Sequence, residues 1–495
     1  MRRTDWLIAA AAIVIGAVTG QGYIWRLANH AGYFLVPVNE PALPKIDAPA
    51  KTFVIVVDGL RQDAAARMAS ARALQARGTC VSADVGPISI SRPVYAVIST
   101  GLEQDRTGSR NNATWEPLTA DSIWQRASDA GFTVCGYSEL PWWQQLFPQA
   151  FARYEVDADP DALFLRPRQS PCTLTLLHPV FVDETAHDHG AASPEYEAAV
   201  ARVDAQIAKL LERVDLDRDL VILTADHGHR DRGGHGGRQP ELANVLTCFA
   251  GKGVAGKGVA TRPTVDPFDM RTLAPTLAVL LGVPFPKTMR AGEDGLDQIF
   301  TITDAAAFPQ GYLDARRRGI ELFRSANQRA LADLAAASWS ELYAFLRHQQ
   351  WARGTVVLLF ALALAFRRFN REGRGLVVWL LATWAATCAG LAAVRGAFDF
   401  TAINYQAPFI LLTSACAAVA AGAAISIHRR AFPKRVCKDD LGTLVITTAI
   451  ACLAHIVAYG WPLGAPLPGP ELLFLPFVGA IALGTYALAF VLVKR

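Results

Sequence analysis

The chain has 495 residues, 52% of them hydrophobic, and a formal net charge of +4. That length is enough for two or three domains, and a small, dispersed positive charge excludes a nucleic-acid-binding protein as the working reading. The apolar residues are unevenly spread: residues 51–350 read as a water-soluble protein, and residues 355–493 do not. In chain order, WLIAAAAIVIGAVTG (6–20) follows Arg2 and Arg3 with no convincing cleavage site, which predicts an uncleaved transmembrane signal anchor within residues 1–25. Residues 26–50 form a Pro-containing linker, read as an extended tether.

Residues 51–300 alternate short apolar runs with helical stretches: TFVIVVDGLR, an Ala-rich helix, FTVCGYSE, CTLTLLHPVFVD, EYEAAVARVDAQIAKLLERV and DLVILTADHG. This rhythm predicts an α/β domain with a mainly parallel sheet and helices on both faces. A helical connector covers 301–350, with its helix at about 312–348; a plain connecting helix is preferred over an interfacial amphipathic one. Residues 351–495 are read as an α-helical membrane domain of about five spans, with apolar stretches at 354–366, 375–394, 406–427, 441–463 and 471–493.

Basic residues orient these spans. Arg2 and Arg3, RRFNREGRG (367–375), HRRAFPKRVCK (428–438) and the terminal KR fall on one side, whereas RGAFDF and GWPLGAPLPGP are nearly free of positive charge. The positive-inside rule then puts both termini in the cytoplasm and the large region between the first and second spans on the extracytoplasmic, periplasmic side of an inner (plasma) membrane. Cys80, Cys135, Cys172 and Cys248 lie in that region. Two disulfides and buried free thiols are both open readings for them.

Chemistry-bearing residues gather where strands end, which is where open α/β sheets bind ligands. Asp58 ends the first strand, and Asp183 and His187 follow another. Three of the ten histidines fall in LTADHGHRDRGGHGG (223–237), which also carries Asp226 and Asp231. Ser89 and Ser91 lie in PISISRP, read as a short loop before an apolar segment. Asp and His are ligands suited to divalent metals, and a serine hydroxyl needs such activation to serve as a nucleophile.

The order of DGLR, SRP with STG, DETAH, DHGHRDRGGHG, PELAN and DMRTLAPTLAVLLG resembles the alkaline phosphatase superfamily. The nearest resemblance is to its type I phosphodiesterase and nucleotide pyrophosphatase branch, especially the GPI ethanolamine phosphate transferases, over about residues 52–290. The resemblance implies two divalent metal ions, Zn2+ first and Mn2+ as the alternative. One would be held by Asp183, His187 and His235, and the other by Asp58, Asp226 and His227, with the Ser91 hydroxyl between them as nucleophile and metal ligand. Ser89 is the competitor for that role. Asn111 or Asn112 would bind a non-bridging phosphate oxygen. His178, His189, His229 and Asp231 have no place among the ligands, and Arg61 and Arg92 are read as substrate contacts or ion-pair partners.

The implied activity is transfer of a phosphoethanolamine-like head group from a lipid donor to a lipid or glycan acceptor through a phospho-Ser intermediate. The alternative is phosphodiester or pyrophosphate hydrolysis. The expected partner is membrane lipid, as a phospholipid or lipid-linked substrate. The sequence Ser91-Arg92-Pro93-Val94-Tyr95 lacks the Arg of a sulfatase C/S-x-P-x-R signature. A cytosolic phosphoglycerate mutase would not carry six spans. A non-catalytic scaffold or transporter is disfavoured by the full set of site residues and by spans whose nearest ionisable residues are Asp399 and His455.

Overall fold

The computed structural model describes residues 37–109, 112, 117–165, 171–256, 267–290 and 298–336, with the short pieces 382–383, 385–390, 393–394, 411–420 and 422–423. It divides into two compact units, Ala28–Ala336 and Met1–Leu27 with Ala337–Arg495.

In the first unit, TFVIVV forms strand β1 (Thr52–Val57) and LVILTA forms β6 (Leu220–Ala225), and every residue in both is buried. Strands apolar at successive positions must be covered on both faces, because neighbouring side chains point to opposite sides. With β2 (Gly78–Asp84), β3 (Val134–Ser138), β4 (Arg153–Val156), β5 (Leu174–His178), β7 (Asn244–Gly251) and β8 (Phe268–Asp269) they make one sheet of order β4-β3-β5-β1-β6-β7-β2-β8. All pairings are parallel except those of β7 with β6 and β2. The mainly parallel sheet expected from sequence is therefore present, with one reversed strand. The reversal positions the site. The chain leaves β6 at its carboxyl end and re-enters the sheet from the same edge, so the Gly-rich loop never crosses a face.

The helices follow local sequence signals. The helix Pro194–Leu211 begins with Ser193 accepting a hydrogen bond from the Tyr196 amide, Pro at the first position and Glu195 and Glu197 in the first turn. Its Tyr196 hydroxyl donates to the Gly59 carbonyl and accepts from the Arg61 amide, both at 2.9 Å, which ties this helix to the DGLR turn. The helix Leu273–Leu281 (LAPTLAVLL) is buried throughout and packs against the helix Ser91–Thr100. Ser91 therefore starts a helix instead of lying in the expected loop.

All four soluble-region cysteines are paired. Cys80–Cys248 joins directly opposed residues of β2 and β7, and Cys135–Cys172 joins β3 to the approach to β5. The linker also differs from a free tether. Val38 donates from its amide to the Lys287 carbonyl, and Glu40 accepts from the Phe285 amide. Glu40 lies 3.6 Å from the guanidinium of the fully buried Arg316, on the helix Tyr312–Ala336, and that guanidinium sits 3.7 Å over the Phe285 ring. A buried carboxylate needs such partners, and these hold the linker against the domain.

The expected spans 6–20, 354–366, 441–463 and 471–493 lie outside the described residues, and 375–394 and 406–427 are described only in the short pieces named above. No helix among the described residues is long and apolar enough to cross a membrane. Within the second unit the described residues 385–390 and 411–420 are helical, and Gly390 lies against Cys416.

Candidate two-metal active site

The carboxyl ends of β1, β5 and β6 lie side by side, and each delivers a ligand-type residue: Asp58, His178 and Asp226. Gly59 takes φ +70°, and a Cβ there would fall 2.7 Å from the Asp183 Cα, so only glycine lets the DGLR turn pass this close to the next helix. That helix, Phe181–His189, carries Asp183 and His187 one turn apart on one face. Its first amides, of Val180 and Phe181, donate to Glu139 at the end of β3, a carboxyl that burial pushes up to about 7.

One cluster is built from Asp58, Asp226 and His227, whose ligand atoms lie within 4.8 Å of one another. Asp226 Oδ1 accepts from the amides of Gly59 (3.1 Å) and His227 (2.9 Å), and Asp58 Oδ2 accepts from the buried Tyr95 hydroxyl. Each carboxylate is thereby aimed. The remaining oxygens, Asp58 Oδ1 and Asp226 Oδ2, are buried with no hydrogen-bond partner among the described residues, and lie 3.4 and 3.3 Å from His227 Nε2. His227 Nδ1 faces the Gly228 carbonyl at 3.2 Å. A carbonyl can only accept, so Nδ1 holds the proton and Nε2 presents a bare lone pair. Two orphaned carboxylate oxygens and an unprotonated ring nitrogen aimed at one point fit a divalent cation bound through N and O.

The second cluster forms around Asp183. His187 Nε2 lies 3.5 Å from Asp183 Oδ2 and 3.2 Å from His235 Nε2, and His235 Nε2 lies 3.9 Å from Asp183 Oδ1. His235 Nδ1 donates to the Ser89 carbonyl at 2.8 Å, which again leaves Nε2 bare. The His227 and His235 rings stack with centroids 3.8 Å apart, so the two clusters adjoin.

Ser91 stands beside the first cluster. Its Oγ is 3.3 Å from His227 Nε2 and 3.5 Å from Asn112 Nδ2, at the amino end of the helix Ser91–Thr100. The amide of Arg92 donates to Asn112 Oδ1 at 3.0 Å, which turns the Asn112 NH2 group toward Ser91. Ser89, the competitor for the nucleophile role, has its hydroxyl committed instead: it donates to the Gly237 carbonyl (2.8 Å) and accepts from the Gly236 amide (2.9 Å). Asn111 lies outside the described residues. Arg92 is buried, with Nη2 2.5 Å from Gln145 Oε1 and its guanidinium 4.7 Å over Trp142, and burial lowers it to about 10. Arg61 pairs with Asp63 and with the largely exposed Asp231. His189 is exposed.

Three residues outside the expected ligand set touch this constellation: Tyr95, which sequence reasoning did not single out, and His178 and His229, which it named but kept out of the ligand set. Tyr95 lies one helical turn after Ser91, so the i, i+4 spacing was a usable signal. His178 ends β5 beside β1, and its Nε2 is 3.3 Å from Asp58 Oδ2. His229 approaches Asp183 Oδ1 to 2.5 Å.

The electrostatics call for positive charge. Burial, then the carboxylates of Asp58 and Asp183, push Asp226 well above the usual carboxylate range. Burial holds His227 well below its ordinary value and takes His235 down to about 4. The rings are thus in the neutral form that metals bind, next to acids that need a cation.

A mainly parallel sheet with two Asp/His clusters and a helix-starting serine at its carboxyl edge defines the class of alkaline-phosphatase-like proteins. Residues 135–236 match the family described as type I phosphodiesterase / nucleotide pyrophosphatase. The catalytic subunit of human GPI ethanolamine phosphate transferase 3 is 25% identical over 452 residues, which cover 79% of this chain and 40% of that one. The catalytic subunit of human GPI ethanolamine phosphate transferase 2 is 24% identical over 305 residues, covering 52% of this chain and 31% of that one. The solved murine ectonucleotide pyrophosphatase / phosphodiesterase 5 is similar at 19% identity and a TM-score of 0.29, over 36% of this chain and 57% of that one. The chain thus spans less than half the length of the two transferases. These matches support an alkaline-phosphatase-like protein of the type I phosphodiesterase branch.

Proposed function

We propose that this chain is a metal-dependent phosphotransferase that moves a phosphoethanolamine-like head group from a lipid donor to the hydroxyl of a lipid or glycan acceptor. The observation that carries the reading is Ser91 Oγ, 3.3 Å from His227 Nε2 and next to the orphaned oxygens of Asp58 and Asp226. The likeness to GPI ethanolamine phosphate transferases supports the head group, and the apolar stretches after residue 353 support a lipid substrate.

The residues fit two divalent cations, with Asp58, Asp226, His227 and Ser91 holding one and Asp183, His187 and His235 the other. The mixed N/O donors favour Zn2+ over Mn2+. Bound there, such ions lower the pKa of the serine hydroxyl and stabilise the attacking and leaving oxygens of an in-line displacement. Ser91 Oγ forms a bond to phosphorus as the bond to the donor's alcohol oxygen breaks, and the serine proton ends on that alcohol. The acceptor hydroxyl then attacks phosphorus and Ser91 leaves, its proton restored from the acceptor. Asn112 Nδ2 donates to a non-bridging oxygen throughout. Two in-line steps retain configuration at phosphorus.

We place the catalytic region outside the cytoplasm, a reading supported by the basic loops and by the two disulfides. The test uses the full chain in detergent with head-group-labelled phosphatidylethanolamine and an alcohol acceptor. Label on the acceptor, lost in Ser91→Ala, is the expected result. Release of label only into water would favour the hydrolase reading, which the family match supports.

A further inference from the structure

Three rings from one loop meet Asp183 and the candidate metal positions, and the carbonyls and amides around them set where each proton sits. His227 and His235 each face a backbone carbonyl with Nδ1, which forces the proton there and bares Nε2. His229 has the opposite arrangement. The Gly234 amide donates to His229 Nδ1 at 3.1 Å. An N–H can only donate, so Nδ1 carries the lone pair and the ring proton is on Nε2. That Nε2–H points at Asp183 Oδ1, 2.5 Å away, with the ring fully buried.

The loop is built to keep this tautomer. Gly234 takes φ +94°, Arg230 donates to its carbonyl at 3.0 Å, and Gly233 donates back to Arg230 at 2.9 Å. The amides of Ala191 and Ala192 donate to the carbonyls of Arg230 and Asp231, which fixes the turn to the end of the Asp183 helix.

We propose that His229 is a positioning residue, not a ligand: its Nε2–H holds Asp183 Oδ1 so that Oδ2, 3.5 Å from His187 Nε2, is the oxygen presented to the metal. A ligand imidazole must offer a bare nitrogen toward the ion, and His229 offers a proton. A donor behind a ligating carboxylate fixes its orientation, and loss of such a partner typically weakens metal binding by about 10–100-fold. The proposal rests on the two-metal reading above.

The test loads the full-length protein with Co2+, measuring affinity by chelator competition and the ligand set from the visible absorption spectrum. His229→Gln keeps an N–H near the Nε2 position, so its affinity should stay within about threefold of wild type, well inside the range expected for losing the partner. His229→Met and His229→Asn fill space without a donor at that position and should weaken one of the two Co2+ by about 10–100-fold, with the loaded spectrum unchanged. His235→Ala should change the spectrum itself. The proposal is overturned if His229→Gln alters the spectrum as His235→Ala does, or if His229→Met and His229→Asn bind like wild type. If one of these two fails to fold, the other decides. A wild-type protein that binds no Co2+ would remove the two-metal reading itself, an outcome distinct from either of these.

Discussion

The Tyr95 hydroxyl donates to Asp58 Oδ2, and Asp58 Oδ1 is thereby left facing His227 Nε2 at 3.4 Å. Tyr95 is buried, and its ring stacks on Trp143 at 4.4 Å. Tyr95→Phe removes the donor and keeps the stack. Metal affinity is expected to fall by about 10–100-fold with little change in thermal midpoint. Chelator competition and thermal unfolding of the same preparation separate the two effects, and an unchanged affinity would show that Asp58 needs no aiming.

Ser91→Ala and Ser89→Ala should fail in different ways. Ser91→Ala is expected to lower turnover at least about a thousandfold while both metals stay bound, as for loss of a nucleophile. Ser89→Ala strips two buried hydrogen bonds from the turn that holds His235, so its cost should appear as about 1–3 kcal/mol of stability. Products from a chiral phosphorothioate diester should retain configuration; inversion would demote Ser91 to a metal ligand.

Metal removal should abolish turnover, and elemental analysis should give two ions per chain. Stripping leaves Asp58, Asp183 and Asp226 sharing a buried space with neutral imidazoles, so the stripped protein should also unfold more easily. Zn2+ at a hundred times its dissociation constant contributes about 2.7 kcal/mol per site, readable as a thermal shift. Equal midpoints with and without Zn2+ would argue against both clusters.

The disulfides give a test of compartment. Replacing Cys135 and Cys172 together by Ser should cost about 2–5 kcal/mol. Replacing Cys80 and Cys248, which close a longer loop, should cost roughly 1 kcal/mol more on loop entropy alone. A reporter fused after residue 300 should behave as exported and one after 370 as cytoplasmic; the reverse would overturn the proposed orientation.

Much of this was legible in the sequence because it depends on local pattern. Asp58 and Asp226 follow apolar runs that can only be buried strands, and the Asp183/His187 spacing puts both on one helical face. What was not legible depends on groups distant along the chain. The reversal of β7 follows from a loop that returns without a crossover helix, which strand periodicity does not encode. The choice between Ser89 and Ser91 turns on the carbonyl of Gly237, and the pairing of four cysteines on strand register. His229 could be set outside the ligands from sequence but given no definite role, because its proton is placed by the Gly234 amide, a backbone atom that no motif names.

The ion pair between Glu40 and Arg316 has a mechanical meaning. The chain enters this unit past Glu40 and leaves it along the helix that carries Arg316, so entrance and exit are buckled together by one buried contact, with Phe285 beneath it. We expect this contact to take up part of any tension applied to either end. The spacing of the candidate metal-ligand residues would then be shielded from tugging on the segments that flank the domain. Opening the buckle with Glu40→Gln should loosen the ends, seen as faster amide exchange at 38–50 and 312–320, and leave the ligand geometry alone.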